Sequence, residues 1–379
     1  MPPSDCPLPR DAHGPALAAR LAAQSAAPQR YNGGYNGGHR AGLSSPSAAA
    51  AAPPASFKKT RMSVADVRPA PLHPILQRVL RAIRRGREQG FHFPGNYLGI
   101  SFDRVSVERS IVSLRGDGRA PDGLADGTAV AVLADLALAA SVRAALPSDT
   151  RLATVNMQLQ LTGAPCDAPL QAESSFHGYL HGAAGRQAIS RVTLRSGDRE
   201  IALGAATFMV LNLPAGTPIP FLSPADPRAD DAPLPDPDRD LGKDERAIYE
   251  RAQMALGDSG AAGDFAQSFW GYRTQPGRDG ATGTLANGPH IGNRVGHVQG
   301  GVLLGFAQAT ARAALPAGWM ASSMTASYVS PGEGSELRAR AEVLHRGRTT
   351  GVVRVTVATE TGRRVLEVLT THSLGAPAA

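Results

Sequence analysis

The sequence predicts an α+β protein built from two tandem copies of one unit, each an antiparallel sheet wrapped around a long central helix. Three observations carry this. First, two Ala-, Leu- and Val-rich runs, at 127–145 and 300–314, read as helices that are apolar on most sides, and both lead through Arg-Ala-Ala-Leu-Pro, at Arg143–Pro147 and Arg312–Pro316. Second, a pair of strand-like segments precedes each run and four follow it. Third, a Pro- and Asp-rich stretch separates the two copies.

The elements follow in order. Residues 1–61 read as a disordered, low-complexity leader of Ala, Pro, Gly and Ser with the tandem Tyr31-Asn-Gly-Gly and Tyr35-Asn-Gly-Gly. They lack the charged start and continuous apolar core of a secretory signal. An Arg-rich transit peptide is a second reading, and translation from Met62, where a more ordinary sequence opens, is a third. Residues 74–87 form a helix, with Pro74 in the first turn and Ile75, Leu76, Val79, Leu80 and Ile83 on one face opposite arginines. It either packs on the next domain or attracts a phosphorylated ligand or membrane surface. Strands at 97–105 and 110–115 lead into the first long helix. Strands near 153–161, 170–180, 187–195 and 201–211 come after it. Residues 213–241 form an extended linker, held open by proline and negative charge. The pattern then returns: a helix at 244–256, strands near 267–273 and 281–286, the second long helix, and strands near 322–329, 336–344, 352–359 and 364–373. The domains are therefore a leader at 1–61, a first unit with its basic helix at 62–212, a linker at 213–241 and a second unit at 242–379.

Composition excludes several classes. With 42% hydrophobic residues in 379, the chain buries a real core. Its longest apolar stretch, near 129–140, contains Asp135 and falls short of the ~20 residues of a membrane span. Only Cys6 and Cys166 occur, so there is no disulfide framework and no cysteine-rich metal site. A cytoplasmic protein is the default expectation. The net charge of +7 is local: 57–90 holds nine basic residues against Asp66 and Glu88, while everything from Phe91 onward sums to −2. A globular face that reads nucleic acid would carry its own basic patch, so no nucleic-acid partner is expected.

The run Asn293-Arg-Val-Gly-His-Val-Gln-Gly-Gly301, leading into an apolar helix, resembles the hotdog-fold acyl-CoA thioesterases of the phenylacetate-pathway (PaaI-like) type. Their motif is Asn-x-x-Gly-x-(apolar)-His-Gly-Gly, with a helix acid nine residues after the His. Val329-Ser-Pro331 and the hairpin His345-Arg-Gly-Arg348 are similar to that family too. In the first half, Asn96-Tyr-Leu-Gly99, Gly123-Leu-Ala-Asp-Gly127 and Asp135 resemble it. The resemblance implies two hotdog units forming a pseudo-dimer within one chain, or a higher homo-oligomer of it. It implies acyl-CoA hydrolysis with no cofactor beyond the CoA of the substrate, at sites shared between the two units.

Carried over residue by residue, the resemblance is asymmetric. The second-half loop keeps Asn293, Gly296, Gly300 and Gly301, but Gln299 stands at the usual His, and Gln308 stands nine residues on. The first half has Asp126, Gly127 and Thr128 at the loop, Ala120 where the Asn is usual, and Asp135 at the acid position. One competent site is therefore expected, from Asn293, Gln299, Gly300 and Gly301 with Asp135. A degenerate one would combine Asp126, Gly127, Thr128 and Gln308. Arg346 and Arg348 are candidates for the CoA phosphates.

The residue types fit the chemistry. Amides at a helix N-terminus are unsatisfied and face the positive end of the helix dipole, which suits an oxyanion. A carboxylate in an apolar helix is raised in pKa by burial, which makes it a better base at neutral pH, or it attacks directly. Gln299 orients water but cannot transfer protons as a His does. Two alternatives stand beside hydrolysis: an acyl-CoA-binding module with both sites decayed, and a hotdog dehydratase or hydratase. The second is disfavoured by Gln299. No His, Cys or Asp spacing resembles a metal site.

Overall fold

The computed structural model describes residues 72–375, apart from 91, 117, 119, 121–124, 149, 213–223, 225–230 and 259–264. The leader at 1–61 and most of the linker lie outside the described residues. The first half runs α1 (Pro74–Gln89), α2 (Phe93–Tyr97), β1 (Ile100–Arg104), β2 (Ser110–Leu114), α3 (Gly127–Arg143), β3 (Thr150–Leu161), β4 (Leu170–Tyr179), β5 (Gln187–Ser196) and β6 (Arg199–Asn212). The second runs α4 (Lys243–Asp258), α5 (Phe265–Trp270), β7 (Tyr272–Gly277), β8 (Gly280–Ala286), α6 (Gly300–Ala313), β9 (Trp319–Tyr328), β10 (Glu336–Arg346), β11 (Thr350–Thr359) and β12 (Arg364–Leu374).

All twelve strands form one antiparallel sheet, ordered β1-β2-β4-β5-β6-β3-β9-β12-β11-β10-β8-β7. Read inward from each edge, the two halves have the same order. They join where β3 pairs with β9, Met157 opposite Ala326. Alternating burial along β5 and β11 shows one face turned to the helices and one to solvent.

The long helices α3 and α6 supply the centre of the core. Nearly all of α3 is buried, from Thr128 to Val142, which explains why its sequence lacks a polar face. The two helices also pack on each other at backbone range. A Cβ on Gly301 would lie 2.5 Å from the N and Cα of Val132, and one on Gly305 would lie 2.9 Å from Thr128 Cα. Glycine at these positions lets the helix axes approach.

Two of the expected strands begin as helices. The segment from Tyr97 and the segment from Gln267 start with α2 and α5. His92 caps α2, its Nδ1 accepting from the Gly95 amide at 3.1 Å, and Pro94 sits in the first turn. In α5, Phe265 stacks on Phe269 at helical spacing, with centroids 5.3 Å apart, and Gly271 ends the turn at φ 89°. Phe93, Tyr97, Phe269 and Trp270 then form one aromatic cluster across the halves. Non-local packing of aromatics decided these conformations over β propensity.

The basic helix α1 packs on the protein. Arg84 donates to the carbonyls of Ala232 and Pro233, and Arg87 grips the carboxylate of Glu245 on α4 with two nitrogens. These arginines hold the helix to the end of the linker and to α4.

Candidate active site

Asp135 sits on α3 with its side chain aimed at the junction of the two halves, and only 8% of it is exposed. Two donors hold its carboxylate. Thr154 Oγ1 donates to Oδ1 at 2.9 Å from β3, and Gln299 Nε2 donates to Oδ2 at 2.8 Å from the start of α6. Burial pushes its pKa up from 3.8 to about 6, with the Thr154 bond pulling the other way. A bulge aims Thr154. The register of β3 against β6 shifts between Thr154 and Asn156, so Thr150 and Thr154 share the helix-facing side with Met157 and Leu159.

The loop before α6 is built by local hydrogen bonding. Asn293 Oδ1 accepts from the amides of Val295 and His297, both at 3.0 Å, so its side chain folds the loop on itself. Gln299 is the N-cap of α6: its Oε1 accepts from the Val302 amide at 2.9 Å while its Nε2 holds Asp135. One amide therefore fixes both the helix start and the carboxylate. A Cβ on Gly300 would lie 3.3 Å from Asp135 Oδ2, so that glycine keeps space in front of the carboxylate. At Gly301 the space a Cβ would take is filled by the α3 backbone, so its lack of a side chain serves helix packing rather than close approach of a ligand. Tyr328 donates its hydroxyl to the Gly300 carbonyl at 3.0 Å; burial, with the charge of Asp135 beside it, holds the phenol well above its ordinary pKa.

Residues 290–373, from this loop through α6 to β12, match the family described as "Acyl-CoA thioesterase N-terminal domain". That segment carries an acyl-CoA thioesterase domain. That description covers acyl-CoA thioesterases and does not single out the phenylacetate-pathway type. Among solved structures, the chain is similar to the tesB protein of Mycobacterium avium subspecies paratuberculosis, at 14% identity over 73% of this chain and 96% of that one, TM-score 0.42. It is similar to a conserved protein of unknown function with a hotdog fold from Alicyclobacillus acidocaldarius, at 12% identity over 74% and 96%, TM-score 0.43. It is also similar to a Bacillus halodurans protein solved with CoA, at 22% identity over 36% and 97%, TM-score 0.34. The curated proteins contain no match.

In this chain the other end of the helix pair reverses the arrangement. Asp126 caps α3, its Oδ1 accepting from the Ala129 amide at 2.8 Å, and Gln308 lies mid-helix on α6. The acid and the amide have exchanged places relative to Gln299 and Asp135. Gln308 lies directly over Gly127: its Oε1 occupies the place a Cβ there would take. Thr128 Oγ1 is 3.2 Å from Tyr272 OH, which donates to the Val302 carbonyl at 2.8 Å. A cavity of about 150 Å³ opens at this end, lined by Asp126, Gly127, Gln308, Trp319 and His372 among others. Asp135 does not line it.

Arg346 and Arg348 stand exposed on the β10–β11 hairpin. Across that hairpin Arg346 pairs with Gly351, whose missing Cβ lies against the Trp319 ring at 3.1 Å. Other cations gather at the Asn293 loop. Burial first, then the charge of Arg143, lowers Arg294 to about 10. Arg151 acts on His297, which is lowered by burial and ion-paired to Glu333 at 3.0 Å.

Sequence reasoning missed Thr154 and Tyr328. Neither carries a motif, and only strand register brings them to Asp135. Among the described residues no cluster of three or more His, Cys, Asp or Glu is placed to hold a metal ion. No described helix is long and apolar enough to cross a membrane.

Proposed function

We propose that the chain is a tandem double-hotdog enzyme, with units 62–212 and 242–379, that hydrolyses acyl-CoA at one composite site. Asp135 comes from the first unit; Gln299, Gly300 and Gly301 come from the second. The observation that carries the proposal is the buried carboxylate held by Thr154 and Gln299 at the start of α6. Water bound to Asp135 loses a proton to it and attacks the thioester carbon. The developing oxyanion is met by the amides of Gly300 and Gly301, which lie in the first turn and have no intrahelical acceptor. The C–S bond then breaks, CoA leaves as thiolate, and the proton on Asp135 is released to it. Both carboxylate oxygens already accept hydrogen bonds, which favours a base over a nucleophile. With Gln299 where a His would stand and His297 paired to Glu333, the site offers no imidazole for dehydration chemistry. The cationic loop with Arg143, Arg151 and Arg294 would draw the anionic CoA toward the site.

Two measurements of free-thiol release from acyl-CoA test this. The wild-type rate should rise with pH through a midpoint near 6 as Asp135 ionises. Thr154→Val keeps the side-chain shape but removes a donor that favours the charged carboxylate. Its midpoint should therefore move upward, with a lower rate at neutral pH. A profile that is flat from about pH 5 to about pH 8, or unmoved in the Val variant, would sink the assignment of Asp135 as base.

A further inference from the structure

Tyr328 reaches the start of α6 through the alternation of β9. Met324, Ala326 and Tyr328 share the side of that strand turned to the helices, and Tyr328 is its last residue. Its hydroxyl donates to the Gly300 carbonyl at 3.0 Å. Its Cε1 lies 3.5 Å from where a Cβ on Gly300 would stand, so the missing side chain leaves room for the ring. Burial first, then the charge of Asp135, holds the phenol well above its ordinary pKa, so it keeps the proton that it donates.

The Gly300 carbonyl does not need the phenol to be satisfied. Within the helix it faces the amide of Leu304, four residues on. The second bond has a consequence elsewhere. The Gly300 carbonyl and the Gly301 N–H belong to one peptide group, which is planar. A donor on the oxygen increases the double-bond character of C–N, which makes the N–H more positive and a stronger donor. It also fixes the plane, and with it the direction of the N–H.

The duplicated fold supplies an internal comparison. In the β3–β9 pair Met157 lies opposite Ala326 and Leu159 opposite Met324, so Met157, Leu159 and Leu161 answer to Met324, Ala326 and Tyr328. Leu161 lines the cavity at the Gly127 end and has no hydroxyl. Of the two equivalent positions, the one with a donor is at the end that holds Asp135.

We infer that Tyr328 is a positioning residue for thioester hydrolysis, which acts through the Gly300–Gly301 peptide to aim and strengthen the Gly301 amide for the oxyanion. The inference rests on the reaction site proposed above.

Steady-state hydrolysis by Tyr328→Phe tests it, with whichever straight-chain ester from acetyl-CoA to palmitoyl-CoA the wild type turns over fastest. Phe keeps the ring and removes one hydroxyl. kcat should fall by about tenfold while KM stays within about twofold, because the strengthened amide is used in the transition state. The midpoint of the pH profile should stay near 6, since the carboxylate loses no bond. In amide NMR spectra of the full chain the Gly301 nitrogen signal should move, because its peptide has lost a donor on the oxygen. If Tyr328→Phe does not fold, meta-fluorotyrosine at position 328 decides. It is a stronger donor of nearly the same size and should raise kcat; an unchanged or lower kcat counts against the inference. The inference is overturned if folded Tyr328→Phe keeps the wild-type kcat, or if the loss lies in KM alone. It is also overturned if the midpoint moves and the rate recovers fully above it, which would make Asp135 the group that Tyr328 serves. Failure of the site itself reads differently: wild type releases no thiol from any ester, or Asp135→Asn is as fast as wild type, and the inference falls with it.

Discussion

Asp135→Asn is expected to lower kcat/KM for acyl-CoA hydrolysis by about 10²–10⁴-fold while the protein stays folded. Asn is nearly isosteric and keeps both contacts. Its Oδ1 can accept from Gln299 Nε2, and its Nδ2 can donate to the Thr154 hydroxyl, which accepts as readily as it donates. Only the ability to take a proton from water is lost. The same variant should be more stable than wild type at alkaline pH. The folded-state pKa, about 6, lies above the ordinary 3.8, so folding favours the protonated carboxyl. That contribution is full below about 3.8 and is lost as pH rises through about 6. Above it the buried charge costs the wild type on the order of 3 kcal/mol, which Asn avoids. Thermal melts at about pH 5 and about pH 8 should show the Asn variant gaining more on wild type at the higher pH. Undiminished hydrolysis by Asp135→Asn would remove Asp135 from the mechanism.

The second large effect is on folding. Gly301→Ala is expected to destabilise the protein by about 1–3 kcal/mol, read as a lower denaturation midpoint. The added methyl would sit 2.5 Å from the N and Cα of Val132 and 2.6 Å from the carbonyl carbon of Ala131. These are backbone atoms of a buried helix, so relief requires moving α3 and α6 apart. Gly300→Ala, one residue away, is the contrast. Its methyl would meet Asp135 Oδ2 at 3.3 Å and Tyr328 Cε1 at 3.5 Å, crowding the carboxylate without a backbone clash. Activity should fall there while stability changes little. A Gly301→Ala protein as stable as wild type would mean that the helices slide freely at this crossing.

The two kinds of glycine show where sequence reading stops. Gly-Gly before an apolar helix reads as an opening for a ligand, and at Gly300 the space does lie before Asp135. At Gly301 the same letter answers to a helix from the other half of the chain, more than 160 residues away in sequence. Gln299 is a similar case. Its place at the usual His position is visible in the string, but its double task as helix cap and carboxylate donor is not. The short helices α2 and α5 were hidden because their aromatics suit strands equally well until they meet each other.

The duplicated order of helix and strands, the two buried central helices, the acid on the first and the glycine loop before the second are legible in the string of residues. These are local or periodic properties, written in composition and spacing. Which side chains meet is set by the packing of distant segments. A bulge of one residue in β3 turns Thr154 toward Asp135, and the crossing of α3 over α6 puts the exchanged acid and amide at opposite ends of one helix pair. Register and crossing depend on contacts between distant segments. A one-residue slip reverses every side chain of a strand without changing a letter of its pattern.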